Sequence, residues 1–295
     1  MAEPGASEAT GNVKRTVVIT GASRGLGFAS AVRLYRDGWR VVAAMRTPDS
    51  GMPRLREATG APEDDPRLIG VPLDLQDRAS IAAAAKLIED AVGAPYALVH
   101  NAGIAAAGMV EETPIESWDQ MLATHVTGPV VLTKALLPSM RAAGQGRIVV
   151  ISSQGGVRGM PAIAAYSAAK GALERWAESL AGEVAPFGLG VTVLVTGTFD
   201  TDIITDAGTT DHRDFEGPYA PHHRNIDKRG RAAMRLAQPP ERFARGLAVA
   251  LGDKAPFVKH PVGLDARMLV ISNKILPSRL MHRIIRLAMG IPKHV

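Results

Sequence analysis

The chain has 295 residues, of which 46% are hydrophobic and 21% charged, a composition that suits a globular domain with a substantial core. It contains no cysteine, which excludes disulfides, thiolate metal ligands and cysteine nucleophiles. Its net charge of +5 is concentrated in residues 266–295, which contain basic side chains and no acidic one. The remainder is close to neutral, so a nucleic-acid-binding domain is not expected.

Residues 1–13 are small and polar, and they lack the basic region and apolar core of a signal peptide. They are predicted to form a disordered tail. The chain has no run of roughly 18 or more apolar residues, the length that a membrane-spanning helix needs. We therefore expect a cytoplasmic protein, with attachment to a membrane surface as the open alternative.

Between residues 14 and 265, short apolar runs alternate with longer segments rich in alanine and leucine. The runs show no polar alternation, which is typical of strands covered on both faces. The predicted strands are 16–20, 40–45, 67–75, 96–103, 147–153 and 190–197, and the predicted helices include 26–37, 79–92, 118–143 and 165–185. This order predicts an α/β fold, a single-domain doubly wound parallel sheet of the Rossmann-like type.

A glycine-rich segment, TGASRGLG (20–27), follows the first strand and opens the first helix. Gly21, Gly25 and Gly27 permit a tight turn and a close approach of the backbone to a phosphate, and the helix N-terminus offers N–H dipoles to that anion. The spacing differs from the common dinucleotide fingerprint. Its place after the first strand of a doubly wound sheet nevertheless predicts a cofactor site.

The end of the second strand bears on which cofactor binds. An acidic residue there would bond the ribose 2′-hydroxyl of NAD, whereas an arginine accommodates the 2′-phosphate of NADP. The chain has Arg46 immediately after this strand and Arg24 inside the glycine loop. NADP(H) is therefore favoured over NAD(H). The alternative interpretation is that both arginines are ordinary surface residues.

Tyr166 and Lys170 lie four residues apart in AYSAAK (165–170), which places them on one face of a helix. A neighbouring ammonium favours the phenolate and lowers the ordinary tyrosine pKa of about 10. The spacing alone indicates either a tuned acid–base pair or two residues of an ordinary helix.

Several motifs occur together and in a characteristic order: TGASRGLG at 20–27, NAG at 101–103, and a serine ahead of YSAAK at 166–170. With this strand order, the chain resembles the short-chain dehydrogenase/reductase family over about residues 14–265. The resemblance implies that Tyr166 is the catalytic acid–base, with Lys170 as its partner. It also implies that Ser153 is the catalytic serine, because it lies 13 residues before the tyrosine; Ser152 is the competitor.

The resemblance further implies a set of cofactor-binding residues. Asp74 matches the aspartate that contacts the adenine, and the NAG motif matches the segment that borders the ribose. The full set is Gly21, Ser23, Arg24, Gly25, Leu26, Gly27, Arg46, Asp74, Leu75, Asn101, Ala102, Gly103, Tyr166, Lys170, Gly197 and Thr198.

Two departures from the family pattern are visible. His125 stands in the stretch where the family usually has an asparagine that supports a proton relay. Imidazole can donate and accept hydrogen bonds, so His125 is included among the catalytic residues. VTG (195–197) replaces the usual Pro-Gly after the sixth predicted strand. Thr196 thus removes a fixed turn, and the segment that follows is expected to be more mobile.

Residues 174–188 and 239–263 resemble the branch that contains retinol and 17β-hydroxysteroid dehydrogenases. We therefore expect an NADP(H)-dependent oxidoreductase that interconverts a primary or secondary alcohol and its carbonyl. Its partner is expected to be a small lipophilic molecule that carries a bulky apolar group. The alternative is a non-catalytic, cofactor-binding regulator on the same fold, although such proteins typically lose the Tyr–Lys pair. Family members often pair through their long helices, so a homodimer or homotetramer is expected.

Residues 198–238 interrupt the regular pattern, being polar with few apolar side chains. They are predicted to be a functional lid or a disordered insertion, without secondary structure in either case. This segment is called the lid below. His212, His222 and His223 lie in it without a carboxylate at ligand spacing. They are interpreted as solvated loop residues, and no metal site is predicted.

The basic tail, 266–295, contains an amphipathic segment at 278–290. At 100° per residue its aliphatic side chains gather on one broad face and its arginines on the other. One interpretation is a terminal helix that packs on its own domain, on the lid or on a second subunit. The other is an interfacial helix that makes peripheral contact with an anionic membrane.

Overall fold

The computed structural model describes residues 15–201 and 209–291. The predicted N-terminal tail, 1–13, lies outside the described residues, as do part of the lid (202–208) and the last four residues (292–295). Within the described ranges, no helix is both long enough and apolar enough to cross a membrane.

The strands and helices alternate as the sequence predicts. In chain order the strands are β1 Thr16–Thr20, β2 Arg40–Met45, β3 Leu68–Pro72, β4 Ala97–His100, β5 Ala105–Ala107, β6 Gly146–Ser153, β7 Leu189–Thr196, β8 Thr209–Asp211 and β9 Phe257–Val262. The helices are α1 Gly25–Arg36, α2 Pro48–Thr59, α3 Arg78–Val92, α4 Ile115–Leu122, α5 Gly128–Ala142, α6 Gln154–Val157, α7 Ala164–Val184, α8 Ala220–Met234, α9 Pro240–Leu251, α10 Leu264–Ile275 and α11 Ser278–Ala288.

Seven of these strands form one parallel sheet in the order β3-β2-β1-β4-β6-β7-β9. The order reverses between β1 and β4, so the carboxyl ends of these two strands flank the crevice where doubly wound sheets bind ligands. Alternate strand residues enter different cores: Val18 packs with one helical layer, and Val17 and Ile19 pack with the other. This two-sided burial explains why the strands read as continuous apolar runs. The predicted Rossmann-like α/β fold is confirmed.

The long helix predicted over 118–143 is interrupted. Residues Ala123–Thr127 form a π-helical turn between α4 and α5, in which the Gly128 N–H donates to the Ala123 carbonyl five residues back. The next residue, Pro129, has no N–H to donate to the carbonyl of His125. A proline at this place removes one ordinary helical hydrogen bond and so favours the wider turn.

The lid is not free of secondary structure, so that prediction is wrong. β8 pairs in parallel with β5 to form a second, two-stranded sheet, and α8 follows it. His222 and His223 are buried rather than solvated. His223 Nε2 lies 2.8 and 2.9 Å from the two carboxylate oxygens of Glu112. His212 Nε2 lies 2.8 Å from the Ser117 hydroxyl. The partners are about a hundred positions earlier in the chain, which a local polar pattern cannot show.

Candidate active site

The glycine loop joins β1 to α1 and is tied to the end of β4. The Thr20 hydroxyl oxygen accepts hydrogen bonds from the backbone N–H groups of Asn101 and Ala102, each at 3.0 Å. The Asn101 side-chain amide donates to the carbonyls of Thr20 at 2.9 Å and Gly21 at 3.2 Å. The predicted NAG motif therefore fixes the shape of the predicted phosphate loop.

Two of the loop glycines are required by close packing. Gly21 has φ +69°, and a Cβ there would lie 2.7 Å from the Ala102 Cα. A Cβ on Gly27 would lie 2.3 Å from the Gly21 carbonyl oxygen. The loop can thus lie flat against β4 only without side chains at these positions. It leads into α1, whose first turn contains no acidic residue. The residues present fit an anionic dinucleotide, because that helix N-terminus offers unpaired N–H groups.

Arg24 and Arg46 lie at the edge of this loop. Arg24 is the residue before α1, and Arg46 comes directly after β2. Both are exposed, and within residues 15–201 and 209–291 neither guanidinium forms an ion pair or side-chain hydrogen bond. Ser23 and Leu26 belong to the same turn, and Leu26 packs on the core below it. Two positive charges without a partner in the described part of the chain can attract a phosphate.

Asp74 and Leu75 follow β3 directly. The Asp74 carboxylate accepts a 2.9 Å hydrogen bond from the backbone N–H of Gln76, and its own N–H donates to Ser80. Leu75 is buried, and its carbonyl lies where a Cβ on Gly128 would be. This turn therefore packs against the start of α5.

The two candidate serines at the end of β6 point to different partners. Ser152 is buried, and its hydroxyl donates a 2.6 Å hydrogen bond to Oε1 of Glu174. The Ser153 hydroxyl caps α6, and Ser153 acts to lower the pKa of Tyr166 against the effect of burial. The structure thus brings Ser153, and not Ser152, to the tyrosine.

Tyr166 and Lys170 lie one turn apart on α7. Lys170 is buried, and its ammonium donates a 2.7 Å hydrogen bond to the carbonyl of Ile151, with Nζ 5.7 Å from the centroid of the Tyr166 ring. Burial lowers the pKa of Lys170 to about 7, although Glu174 opposes the shift. Burial also raises the pKa of Tyr166, and Ser153 offsets this only in part. The pKa of Tyr166 is thus raised because burial outweighs the effect of Ser153, and the lowering of this pKa by Lys170 stays a prediction.

His125 lies in the π-helical turn and meets the tyrosine edge-on. The ring centroids of His125 and Tyr166 are 5.5 Å apart, with an interplanar angle of 89°. Its Nε2 lies 2.9 Å from the Ile104 carbonyl oxygen, and within the described residues the buried Nδ1 has no hydrogen-bond partner. Burial holds the pKa of His125 well below its usual range, and the charge of Lys170 adds to that. His125 is therefore neutral. π-helical turns occur frequently at functional sites.

The turn after β7 is fixed by a residue that the sequence analysis did not single out. Asp265, in the first turn of α10, accepts a 2.7 Å hydrogen bond from the Thr198 N–H and another from the Gln154 side-chain amide. A Cβ on Gly197 would lie 2.0 Å from Oδ1 of Asp265. Thr196 donates from its hydroxyl to the Ser152 carbonyl at 2.8 Å. Hydrogen bonds thus replace the usual Pro-Gly turn. No short motif in the sequence indicates Asp265, since its partners are 67 and 111 positions away.

The family follows from a direct comparison with known proteins. The sequence profile of the family described as short chain dehydrogenase matches residues 15–212. The chain belongs to the short-chain dehydrogenase family. It is therefore an oxidoreductase of this family, whose members use NAD(P)(H).

Individual relatives agree with this assignment. Dehydrogenase/reductase SDR family member 7B from Mus musculus is 34% identical over 75% of this chain and 68% of its own length. The 3-ketodihydrosphingosine reductase of Bacteroides thetaiotaomicron is 29% identical over 92% of this chain and 96% of its own. The crystal structure of a short-chain dehydrogenase from Streptomyces avermitilis, 29% identical, superimposes with a TM-score of 0.79 and covers 96% of this chain and 100% of that one. The predicted family and branch are confirmed.

Proposed function

We propose that this chain is an NADP(H)-dependent oxidoreductase that interconverts a primary or secondary alcohol and its carbonyl on a bulky apolar substrate. The observation that carries the proposal is the meeting of Ser153, Tyr166 and Lys170 beside the glycine loop that Asn101 holds in place. An acid–base group, an oxygen-binding hydroxyl and a buried cation thus face one crevice.

The residues that would hold the cofactor are those of the crevice between β1 and β4. The N-terminus of α1 and the glycine loop would bind the pyrophosphate, and Asn101, Tyr166 and Lys170 would border the nicotinamide ribose. Arg24 and Arg46 support a preference for the 2′-phosphate, because both charges are exposed and unpaired within the described residues. When bound, NADP(H) supplies or accepts the hydride at the substrate carbon.

Residues of the chain itself transfer the proton. In the reduction direction, the Tyr166 hydroxyl gives its proton to the substrate oxygen, and the Ser153 hydroxyl donates a hydrogen bond to that oxygen as negative charge develops on it. A raised pKa keeps the phenol protonated at neutral pH, which suits a proton donor. In the oxidation direction the same groups act in reverse.

The apolar character of the substrate is supported by a relative whose name gives a long-chain substrate. A separate cleft lies near the start of α7, and its lining does not include Tyr166, Ser153 or Lys170. The cleft has a volume of about 670 Å³ and lies between α11 and residues 155–168. Its apolar lining includes Val157, Met160, Pro161 and Ile285. The relative named 3-ketodihydrosphingosine reductase aligns over 92% of this chain, so long-chain ketones and the corresponding alcohols are the first substrates to test.

The decisive assay follows NADPH oxidation by absorbance, with long-chain keto-amines, alkyl ketones, retinal and keto-steroids as substrates. The unaltered chain should turn over at least one long-chain ketone, and Tyr166→Phe should abolish turnover while it retains NADPH binding, because only the proton-transferring hydroxyl is lost. NADPH binding without oxidoreduction of any carbonyl or alcohol would instead favour the regulator. Sedimentation velocity tests the expected homodimer or homotetramer, which stays a prediction.

A further inference from the structure

The first observation concerns the outer face of α10. Leu264, Met268, Ile271 and Ile275 recur at intervals of four, three and four residues, which places them on one stripe of the helix. All four are exposed, and Ile275 is 72% exposed. The inner face of the same helix is packed on the core through Ala266 and Val270. The stripe is therefore held at the surface by a helix that is itself anchored.

The next helix, α11, follows after a two-residue connection and also carries exposed apolar side chains. Its predicted apolar face is divided: Met281 is only 1% exposed, whereas Leu280, Ile284 and Leu287 form an exposed stripe. The helix is attached at both ends, because the Arg158 guanidinium donates to the Ser278 carbonyl and the Asn225 amide donates to the Gly290 carbonyl. One edge of α11 therefore packs on the protein, and the other edge faces outward.

Basic residues border both stripes on the same side. At 100° per residue, Arg267 and Lys274 lie beside the stripe of α10, and Arg279 and Arg283 lie beside that of α11. All four are exposed, and no acidic residue occurs from residue 266 to the end of the chain. The exposed apolar side chains of α10 and α11, with these four basic residues, are called the α10–α11 surface below.

We propose that the α10–α11 surface binds the headgroup region of an anionic membrane. Apolar side chains with a row of arginines and lysines beside them match an interface in which acyl chains lie next to negative phosphates. A second copy of this chain is a poorer match, because it would place two sets of basic residues together without acidic residues to oppose them.

Vesicle co-sedimentation with the full chain tests the proposal without any catalytic readout. Two kinds of vesicle are compared, phosphatidylcholine alone and a mixture with phosphatidylserine in a ratio of about 3:1. The chain should bind the mixed vesicles, and binding should fall at least about tenfold between roughly 50 mM and 500 mM NaCl. Arg279→Gln with Arg283→Gln should lower the partition coefficient about 25-fold, since each charge accounts for about fivefold. Ile275→Gln with Leu287→Gln should also lower it.

A matched pair on another helix provides the control. Arg245 and Val249 are exposed one turn apart on α9, and Val249 is 74% exposed. Arg245→Gln with Val249→Gln should leave vesicle binding unchanged. The proposal is overturned if the unaltered chain binds neither kind of vesicle, or binds both equally. It is also overturned if the control pair weakens binding as much as the α10–α11 pairs, or if those pairs instead change the sedimentation mass in solution, which would make the surface a contact between copies.

Discussion

The hydroxyl of Ser152 donates a 2.6 Å hydrogen bond to Oε1 of Glu174, and this bond turns it away from Tyr166. The other oxygen of Glu174 accepts from the ammonium of Lys259. Ser152 is thus part of a buried polar network, whereas its neighbour Ser153 acts on the pKa of Tyr166. Adjacent serines on one strand point to opposite faces, so only one of them can serve the site.

Replacing each serine by alanine should separate these roles. Ser153→Ala should lower kcat by about 10²-fold, the usual effect of losing one donor to a developing oxyanion. Ser152→Ala should leave kcat nearly unchanged but should lower the free energy of unfolding by about 1–3 kcal/mol, because Glu174 loses a buried partner. Steady-state kinetics and denaturant titration measure the two effects. The reverse pattern would assign the catalytic role to Ser152.

Cofactor preference depends on the two exposed arginines. NADPH should bind at least about tenfold more tightly than NADH, since a charged hydrogen bond to a phosphate contributes about 1.5–3 kcal/mol. Arg46→Asp should abolish or invert this preference by placing a negative charge beside the 2′-phosphate. Arg242→Asp, at an exposed position of α9, is the matched control and should leave both affinities unchanged. Equal binding of NADH and NADPH by the unaltered chain, measured by fluorescence titration, would refute the preference.

The buried ammonium of Lys170 should make cofactor binding depend on pH. Its pKa is lowered to about 7 by burial. The phosphates of NADPH favour the charged form, so the pKa should be higher in the complex and binding should take up a proton between the two values. Affinity for NADPH should therefore fall as pH rises above 7. Calorimetry in two buffers of different ionisation enthalpy measures the proton uptake, which should disappear in Lys170→Met. Absence of proton uptake by the unaltered chain would show that Lys170 does not titrate in this way.

The sequence predicts best what depends on local pattern. The runs 16–20 and 40–45 coincide with β1 and β2, because a strand buried on both faces is apolar at most of its positions. The glycine loop can also be predicted from the sequence, because its conformation excludes side chains at Gly21 and Gly27. The bonds from His223 to Glu112 and from Thr198 to Asp265 join residues 111 and 67 positions apart. No local signal in the sequence specifies such partners. The contacts that hold the described part of the lid and the β7 turn could therefore be found only from the structure.

His125 differs from the residue usual in the family, but it should not be essential. It is neutral, and it contacts Ile104 and the edge of the Tyr166 ring. In His125→Asn the amide can still bond Ile104, so kcat should stay within about tenfold of the unaltered value, while the lost ring contact should lower the free energy of unfolding by about 1 kcal/mol. The pH profile of kcat should not move, because the imidazole does not titrate near neutrality. Complete loss of activity would show that the histidine has an essential role of its own.

Asp265 should act as a positioning residue for the turn after β7, which we propose lies beside the cofactor. Its carboxylate accepts hydrogen bonds from the Thr198 N–H and from Gln154, the residue after Ser153, and so links the β7 turn to the serine. Asp265→Ala leaves both donors without this acceptor, so NADPH affinity and kcat should each fall about tenfold, the effect of one charged hydrogen bond. Asp265→Asn keeps an acceptor oxygen and should restore most of both.

Glu241→Ala, in the first turn of α9, is the matched control for losing an acid at a helix start, and it should change neither quantity. Thermal unfolding of each variant shows whether the fold is retained, because a collapse of the turn alone should leave the apolar cores on either side of the sheet intact. If Asp265→Ala folds and binds NADPH as tightly as the unaltered chain, the carboxylate does not position this turn. If Asp265→Asn is as impaired as Asp265→Ala, the turn needs the negative charge itself, and an acceptor oxygen alone does not hold it.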